Sequence, residues 1–167
     1  PYEGCQWRYS RKFVSPERSD EDEVAIHFGG IDCYAEIYLN GRHIGSASNM
    51  LIDYEYDVTD AVAAPGEENL LEVYIRSSVI EGRRNVPPVI SYNFAQLESV
   101  YSRRAPHTYG WDIRPRLVSA GLCRDLTLEV EPPVDVVDAG RYPMAADVTE
   151  PTPSAYLDYT ITLAVRY

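Results

Sequence analysis

Period-two alternation, with turn residues between its runs, limits this chain more than any other feature. In residues 33–39, Cys33, Ala35, Ile37 and Leu39 face one way and Tyr34, Glu36 and Tyr38 the other. That is the pattern of a half-buried strand. Asn40-Gly41 follows at once. A type I′ hairpin turn needs positive φ at both central positions, which this dipeptide tolerates best. Residues 43–46 therefore read as the return strand. Alternation recurs in residues 69–77, with Leu71, Val73 and Ile75 on one face, and in 124–131, with Leu126, Leu128 and Val130. Tyr54, Tyr56 and Val58 alternate with Glu55 and Asp57, and residues 24–28 form a short apolar run. Trp7 lies in a strand-like segment and is expected in the core. Residues 60–64 fit one helical turn, ended by Pro65-Gly66. Antiparallel sheets with one wet face read this way. The expected fold is all-β, a two-sheet β-sandwich or jelly roll.

Between residues 78 and 120 the alternation stops. Pro87-Pro88, Tyr101, Arg103-Arg104, His107, Tyr109, Trp111 and Arg114 crowd this stretch, and residues 93–101 suit a short helix. A connection that long usually carries function or its own elements. Residues 131–135 (EPPVD) read as a linker. The expected boundaries are a sandwich domain over 1–131 and the start of a second domain over 132–167. In the latter, residues 156–166 alternate strongly, with Leu157, Tyr159, Ile161, Leu163 and Val165 on one face. An uncovered apolar strand is a template for pairing. It is expected to pair with a second copy or to fold back on the sandwich, giving self-association through residues 156–166.

Charge and length exclude several classes. The net charge is −11, from 26 Asp and Glu against 15 Lys and Arg, so duplex nucleic acid is not an expected partner. The acidic run over residues 17–23 reads as a solvated loop. No stretch of ~18 apolar residues suggests a membrane span. The 167 residues are too few for a (β/α)₈ barrel of ~250. Cys5, Cys33 and Cys123 have no metal-ligand or disulfide-framework spacing. No metal or cofactor is expected. Unpaired cysteines and the lack of an apolar leader favour a cytoplasmic setting.

No nucleophile elbow, zinc-protease motif or phosphate loop occurs. The acids offer no evident pair of the kind that glycoside hydrolysis needs, so no catalytic residue is assigned. Tyr109-Gly110-Trp111-Asp112-Ile113-Arg114-Pro115-Arg116 does carry binding chemistry. A sugar presents a flat C–H face to an aromatic plane and hydroxyls to carboxylates and guanidiniums. Trp111, Asp112, Arg114 and Tyr109 are the candidate sugar contacts. The alternative is that Trp111 anchors the core and the arginines pair with the chain's own acids.

Six segments in order carry a resemblance. They are Trp7-Arg8-Tyr9-x-Arg11-x-Phe13; Val24-x-Ile26-x-Phe28-x-Gly30-Ile31-Asp32; Ala35-x-Ile37-Tyr38-Leu39-Asn40-Gly41; Tyr56-Asp57-Val58-Thr59-Asp60; Asn69-Leu70-Leu71-x-Val73; and Gly110-Trp111-Asp112 through Pro115 to Gly121-Leu122-x-Arg124. Over roughly residues 5–131 the chain resembles the N-terminal sugar-binding domain of glycoside hydrolase family 2, in its β-mannosidase-like branch. The resemblance implies a galactose-binding-domain-like jelly roll, packed in the parent chain beside an immunoglobulin-like domain and a catalytic barrel. The tail would then be the first strands of the immunoglobulin-like domain. It also implies a β-glycoside substrate hydrolysed with retention by two barrel glutamates, the acid/base lying in an Asn-Glu pair. No Asn-Glu occurs here. In that branch the Trp-Asp loop reaches the terminal sugar, a role that would fall to Trp111 and Asp112. Where the mannosidase pattern has a Trp and a Gly between this Asp and the Pro, the chain has Ile113-Arg114, which leaves the sugar open. The expected role is a non-catalytic accessory domain. The alternatives are a free-standing lectin-like module and a purely structural brace.

Overall fold

The computed structural model describes residues 2–84 and 97–132, and the course of two strands over 134–147 and 154–165. The chain divides into two compact units, one of Pro1–Arg18 with Val24–Val130, the other of Ser19–Glu23 with Glu131–Tyr167.

The first unit holds strands β1 (Trp7–Val14), β2 (Glu23–Phe28), β3 (Ile31–Asp32), β4 (Tyr34–Leu39), β5 (Arg42–Ala47), β6 (Tyr54–Asp57), β7 (Glu68–Arg76), β8 (Gly121–Leu122) and β9 (Leu126–Glu131). One sheet runs β1-β7-β4-β5 and another β6-β2-β9, with the short pair β3-β8 beside them. The described pairings in these sheets are antiparallel. Val24, Ile26 and Phe28 of β2 pack against Ala35, Ile37 and Leu39 of β4 and Leu71, Val73 and Ile75 of β7. This is the all-β sandwich, and its inward faces are those expected from alternation. Leu126 and Leu128 of β9 are only half-buried against the core. Their strand ends the β6-β2-β9 order, so one flank is left wet.

The Asn40-Gly41 turn has φ of 53° and 80°, as a type I′ turn requires. Asn40 also reaches across the fold. Its Nδ2 donates to Asn69 Oδ1 at 2.8 Å, and its Oδ1 accepts from the Leu70 N–H at 2.9 Å.

Two local expectations change. Trp7 stands on β1 but is 42% exposed, because β1 is the edge of its sheet. It meets Tyr2 edge-on instead of the core. Residues 60–64 form a turn, not a helix. Only Val58 C=O collects the Ala61 and Val62 N–H groups, both at 2.8 Å. Of the helix expected over 93–101, the described part is helical over α2 (Leu97–Val100), and 93–96 lie outside the described residues. A helix not anticipated, α1 (Ser78–Arg84), precedes it. The two approach closely at Gly82, where a Cβ would meet the Glu98 carbonyl oxygen at 2.8 Å.

In the second unit β10 (Val134–Asp147) and β11 (Ser154–Val165) form a two-stranded antiparallel sheet. The strand expected over 156–166 takes β10 as its described neighbour. Its expected apolar stripe falls on side chains outside the described residues.

Candidate functional site

After α2 the chain makes a 3₁₀ turn over Pro106–Tyr109 and leaves it through Gly110 at φ 114°, a backbone state that glycine alone adopts easily. A tight turn follows. The Trp111 N–H donates to the Arg114 carbonyl at 2.9 Å, and the Arg114 N–H returns to the Trp111 carbonyl at 3.1 Å. Residues paired this way carry their side chains on one face of the ribbon. Asp112 and Ile113 form the tip of this turn. Trp111 is 64% exposed and Ile113 94%, and Asp112 and Arg114 are exposed too. The Leu117 N–H donates to the Thr108 carbonyl at 3.0 Å and closes the base of the loop.

Beneath the turn lies a charged foundation. Tyr109 is 1% exposed. The Arg104 guanidinium covers its ring at 5.2 Å from the centroid and the Arg116 guanidinium at 5.4 Å. Arg104, its side chain fully buried, donates to Asp32 Oδ2 of β3 at 2.8 Å. The Ser119 hydroxyl donates to the same oxygen at 2.8 Å. Burial pushes the Asp32 carboxyl up, against the opposing pull of Arg104 and the Ser119 hydroxyl. Arg116 donates through Nε to Glu3 at 2.8 Å and through Nη2 to the buried Glu98 carboxylate, which Arg83 also approaches at 3.6 Å. The loop is thus tied to the sandwich through β3, to the helical turn α2 and to the N-terminal segment.

Of the four candidate contacts, Trp111, Asp112 and Arg114 come together on one exposed turn. The reading of Trp111 as a core anchor does not hold, since its indole faces solvent. Tyr109 is different. Its ring is enclosed by two guanidiniums, so it supports the turn from below and does not reach solvent. The alternative that the arginines pair with the chain's own acids holds for Arg116; sequence reading missed Asp32, Arg104, Ser119, Glu98 and Glu3. The stop in alternation located the loop, but nothing local identifies partners 72, 87 or 113 positions away. His27 and His43 pair with Asp53 and Glu36 at the surface. Among the described residues no group of three or more His, Cys, Asp or Glu is placed to hold a metal.

Chemically, the turn offers an apolar plane, an acceptor and a donor on a braced support. That suits recognition of a polyhydroxylated ring with a C–H face.

Residues 2–124 match the family described as glycosyl hydrolase 2 galactose-binding domain-like. Beta-mannosidase B of Aspergillus terreus is 32% identical over 129 residues, covering 74% of this chain and 15% of that protein. Beta-mannosidase B of Thermothelomyces thermophilus is 28% identical over 130 residues, with 75% and 15% covered. Among solved structures, the beta-D-mannosidase from Dictyoglomus thermophilum superposes with a TM-score of 0.74 at 27% identity, covering 98% of this chain and 20% of that one. A beta-D-glucuronidase from the same organism matches at TM-score 0.57 and 17% identity, with 95% and 25% covered, a likeness of fold alone. The chain spans about 15% of the length of the curated relatives it matches.

Proposed function

The chain belongs to the glycosyl hydrolase 2 galactose-binding domain-like family, and from that premise we propose that it is the non-catalytic sugar-binding domain of a larger, β-mannosidase-like glycosidase. In this reading the domain braces a catalytic barrel and lends the turn of Trp111 and Asp112 to the wall of the sugar pocket. The parent chain hydrolyses a terminal β-glycosidic bond with retention, the reacting carboxylates coming from the barrel. The indole takes the C–H face of the terminal sugar. The Asp112 carboxylate accepts from its hydroxyls, and the Arg114 guanidinium donates to an oxygen beside them.

One observation carries the reading: a large indole held 64% in solvent by a doubly hydrogen-bonded turn. The turn stands over Tyr109, itself clamped between two guanidiniums. Such a foundation fixes a side chain that makes no core contact, the arrangement needed where a binding group must keep its position before its ligand arrives.

With the barrel wall absent, the isolated domain offers half a pocket. Titration of the isolated chain with methyl β-glycosides, followed on the Trp111 indole N–H resonance, is expected to show affinity of about 1 mM or weaker. Turnover of nitrophenyl β-glycosides is expected to be absent. Micromolar binding to the isolated chain would favour the free-standing lectin, and turnover by homogeneous protein would contradict the non-catalytic role.

A further inference from the structure

We infer that the outer face of the β1-β7-β4-β5 sheet carries a second binding site, for a neutral, polyhydroxylated oligosaccharide. The site shares no residue with the Trp111 turn, so it is an accessory glycan contact and stands independently of that reading. Leu71, Val73 and Ile75 of β7 face the core, so Glu72, Tyr74 and Arg76 face outward. The strand register sets Tyr74 between Arg8 of β1 and Glu36 of β4, and Glu72 between Ser10 and Tyr38. Gln6, Glu36, Tyr38, Glu72, Tyr74 and Arg76 border a hollow of about 460 Å³. That volume is within the range that holds a small ligand.

The chemistry of the hollow selects the ligand. Tyr38 and Tyr74 stand at 87° with ring centroids 5.6 Å apart, where a solvated sheet face is ordinarily polar. They form an aromatic corner against which the C–H face of a sugar ring can pack. The charges around that corner cancel. Arg8 forms an ion pair with Glu72, and Arg76 with Glu36 at 3.3 Å. His43 Nε2 also meets Glu36 at 2.9 Å, and the Tyr74 hydroxyl donates to Glu72 Oε1 at 3.2 Å. On a chain of net charge −11, these two acids and two arginines leave the hollow without net charge, so it favours neither an anion nor a cation. Neutral hydrogen-bonding groups remain available. Tyr34, on the same face, spends its hydroxyl on the Tyr101 carbonyl at 3.0 Å. The Tyr38 hydroxyl, the Gln6 side-chain amide and Glu72 Oε2 have no hydrogen-bond partner among the described residues. A hydroxyl and an amide both donate and accept, as sugar hydroxyls require. The ion pairs hold the two carboxylates in place, so the acceptors are set before a ligand arrives.

The test is a backbone-amide NMR titration of the 167-residue chain with mannotetraose and cellotetraose, set against tetragalacturonate and tetraglucosamine as charged counterparts. Wild type, Tyr74→Ala, Gln6→Ala and Trp111→Ala are compared after circular dichroism confirms folding. A neutral tetrasaccharide is expected to shift the amides of Gln6, Tyr38, Gly41 and Tyr74 with a Kd of about 1 mM or tighter. Tyr74→Ala and Gln6→Ala should each weaken that binding by about fivefold or more, and Trp111→Ala should leave it unchanged. Gln6 is exposed and outside the ion pairs, so its variant decides the matter if Tyr74→Ala does not fold. Three results would overturn the inference: no shift of the sheet amides up to ~10 mM, shifts that survive both substitutions, or tighter binding of a charged tetrasaccharide. If the Trp111 indole N–H responds and the sheet amides do not, the inference fails and the sugar-pocket reading stands. If only the sheet amides respond, the inference holds and the pocket reading loses its support.

Discussion

Cys33 is fully buried at the head of β4, its thiol donating to the Ser48 carbonyl at 3.3 Å, and burial pushes that thiol up to about 11. Only the thiolate is a good nucleophile. Iodoacetamide at neutral pH should therefore modify the exposed Cys5 and Cys123 in the native chain and reach Cys33 only after unfolding. Mass spectrometry reads this directly, and a third adduct on native protein would contradict the burial. The raised value also has a stability consequence. The unfolded chain loses the thiol proton first, so stability falls as pH rises from 9.0 toward about 11. Gly45 makes a separate residue-scale case. A Cβ there would overlap the Tyr56 ring, whose hydroxyl donates to the Ser46 carbonyl at 2.8 Å. Gly45→Ala should cost about 1–3 kcal/mol by overpacking, measured by urea denaturation. An unchanged midpoint would show that the ring moves freely.

The hairpin of β4 and β5 and the start of β7 are joined by side chains as well as by ladders. Asn69 Nδ2 donates to Ser15 Oγ at 2.8 Å, and its Oδ1 accepts from the Ala63 N–H at 2.7 Å and from Asn40. Asn69 is 1% exposed. Asn69→Ala leaves the Ala63 N–H without its partner, while Ser15 Oγ keeps the Ala63 carbonyl and Asn40 Nδ2 the Ala61 carbonyl, and should destabilise by about 1–3 kcal/mol. Gly41→Ala should cost about 1 kcal/mol through positive φ alone. Equal stability of the Asn69 variant and wild type in urea would mean that water replaces the network without penalty. Strands such as β4 and β7 were legible because period two is a local property of seven to nine residues. The exposed turn at Trp111 was legible only as a place, from the loss of that period. What holds the turn was not legible. Asp32 looked like an ordinary residue between Ile31 and Cys33, and its ion pair with Arg104 exists only once β3 and the loop meet. The burial of Tyr109 and the exposure of Trp7 have the same origin: tertiary neighbours decided them, not spacing.

As a whole, the chain joins a sandwich unit to a unit whose described strands are one antiparallel pair, β10 and β11. An isolated two-stranded sheet is marginal in water, and a free strand edge invites pairing. The 167-residue chain is expected to self-associate through residues 156–166, whereas a version ending at Glu131 stays monomeric. Sedimentation velocity at matched concentration separates the two, and identical monomers would contradict the expectation. The larger claim is that the sandwich serves a sugar pocket that it does not contain alone. The most direct measurement is the kcat/KM of the full-length parent enzyme carrying Trp111→Ala, with Trp7→Ala as the control for loss of an exposed indole. The account predicts a fall of at least about tenfold for Trp111→Ala at unchanged Tm, the loss of roughly 1.4 kcal/mol of transition-state binding, with Trp7→Ala like wild type. A Trp111→Ala enzyme as active as the Trp7→Ala control would contradict it.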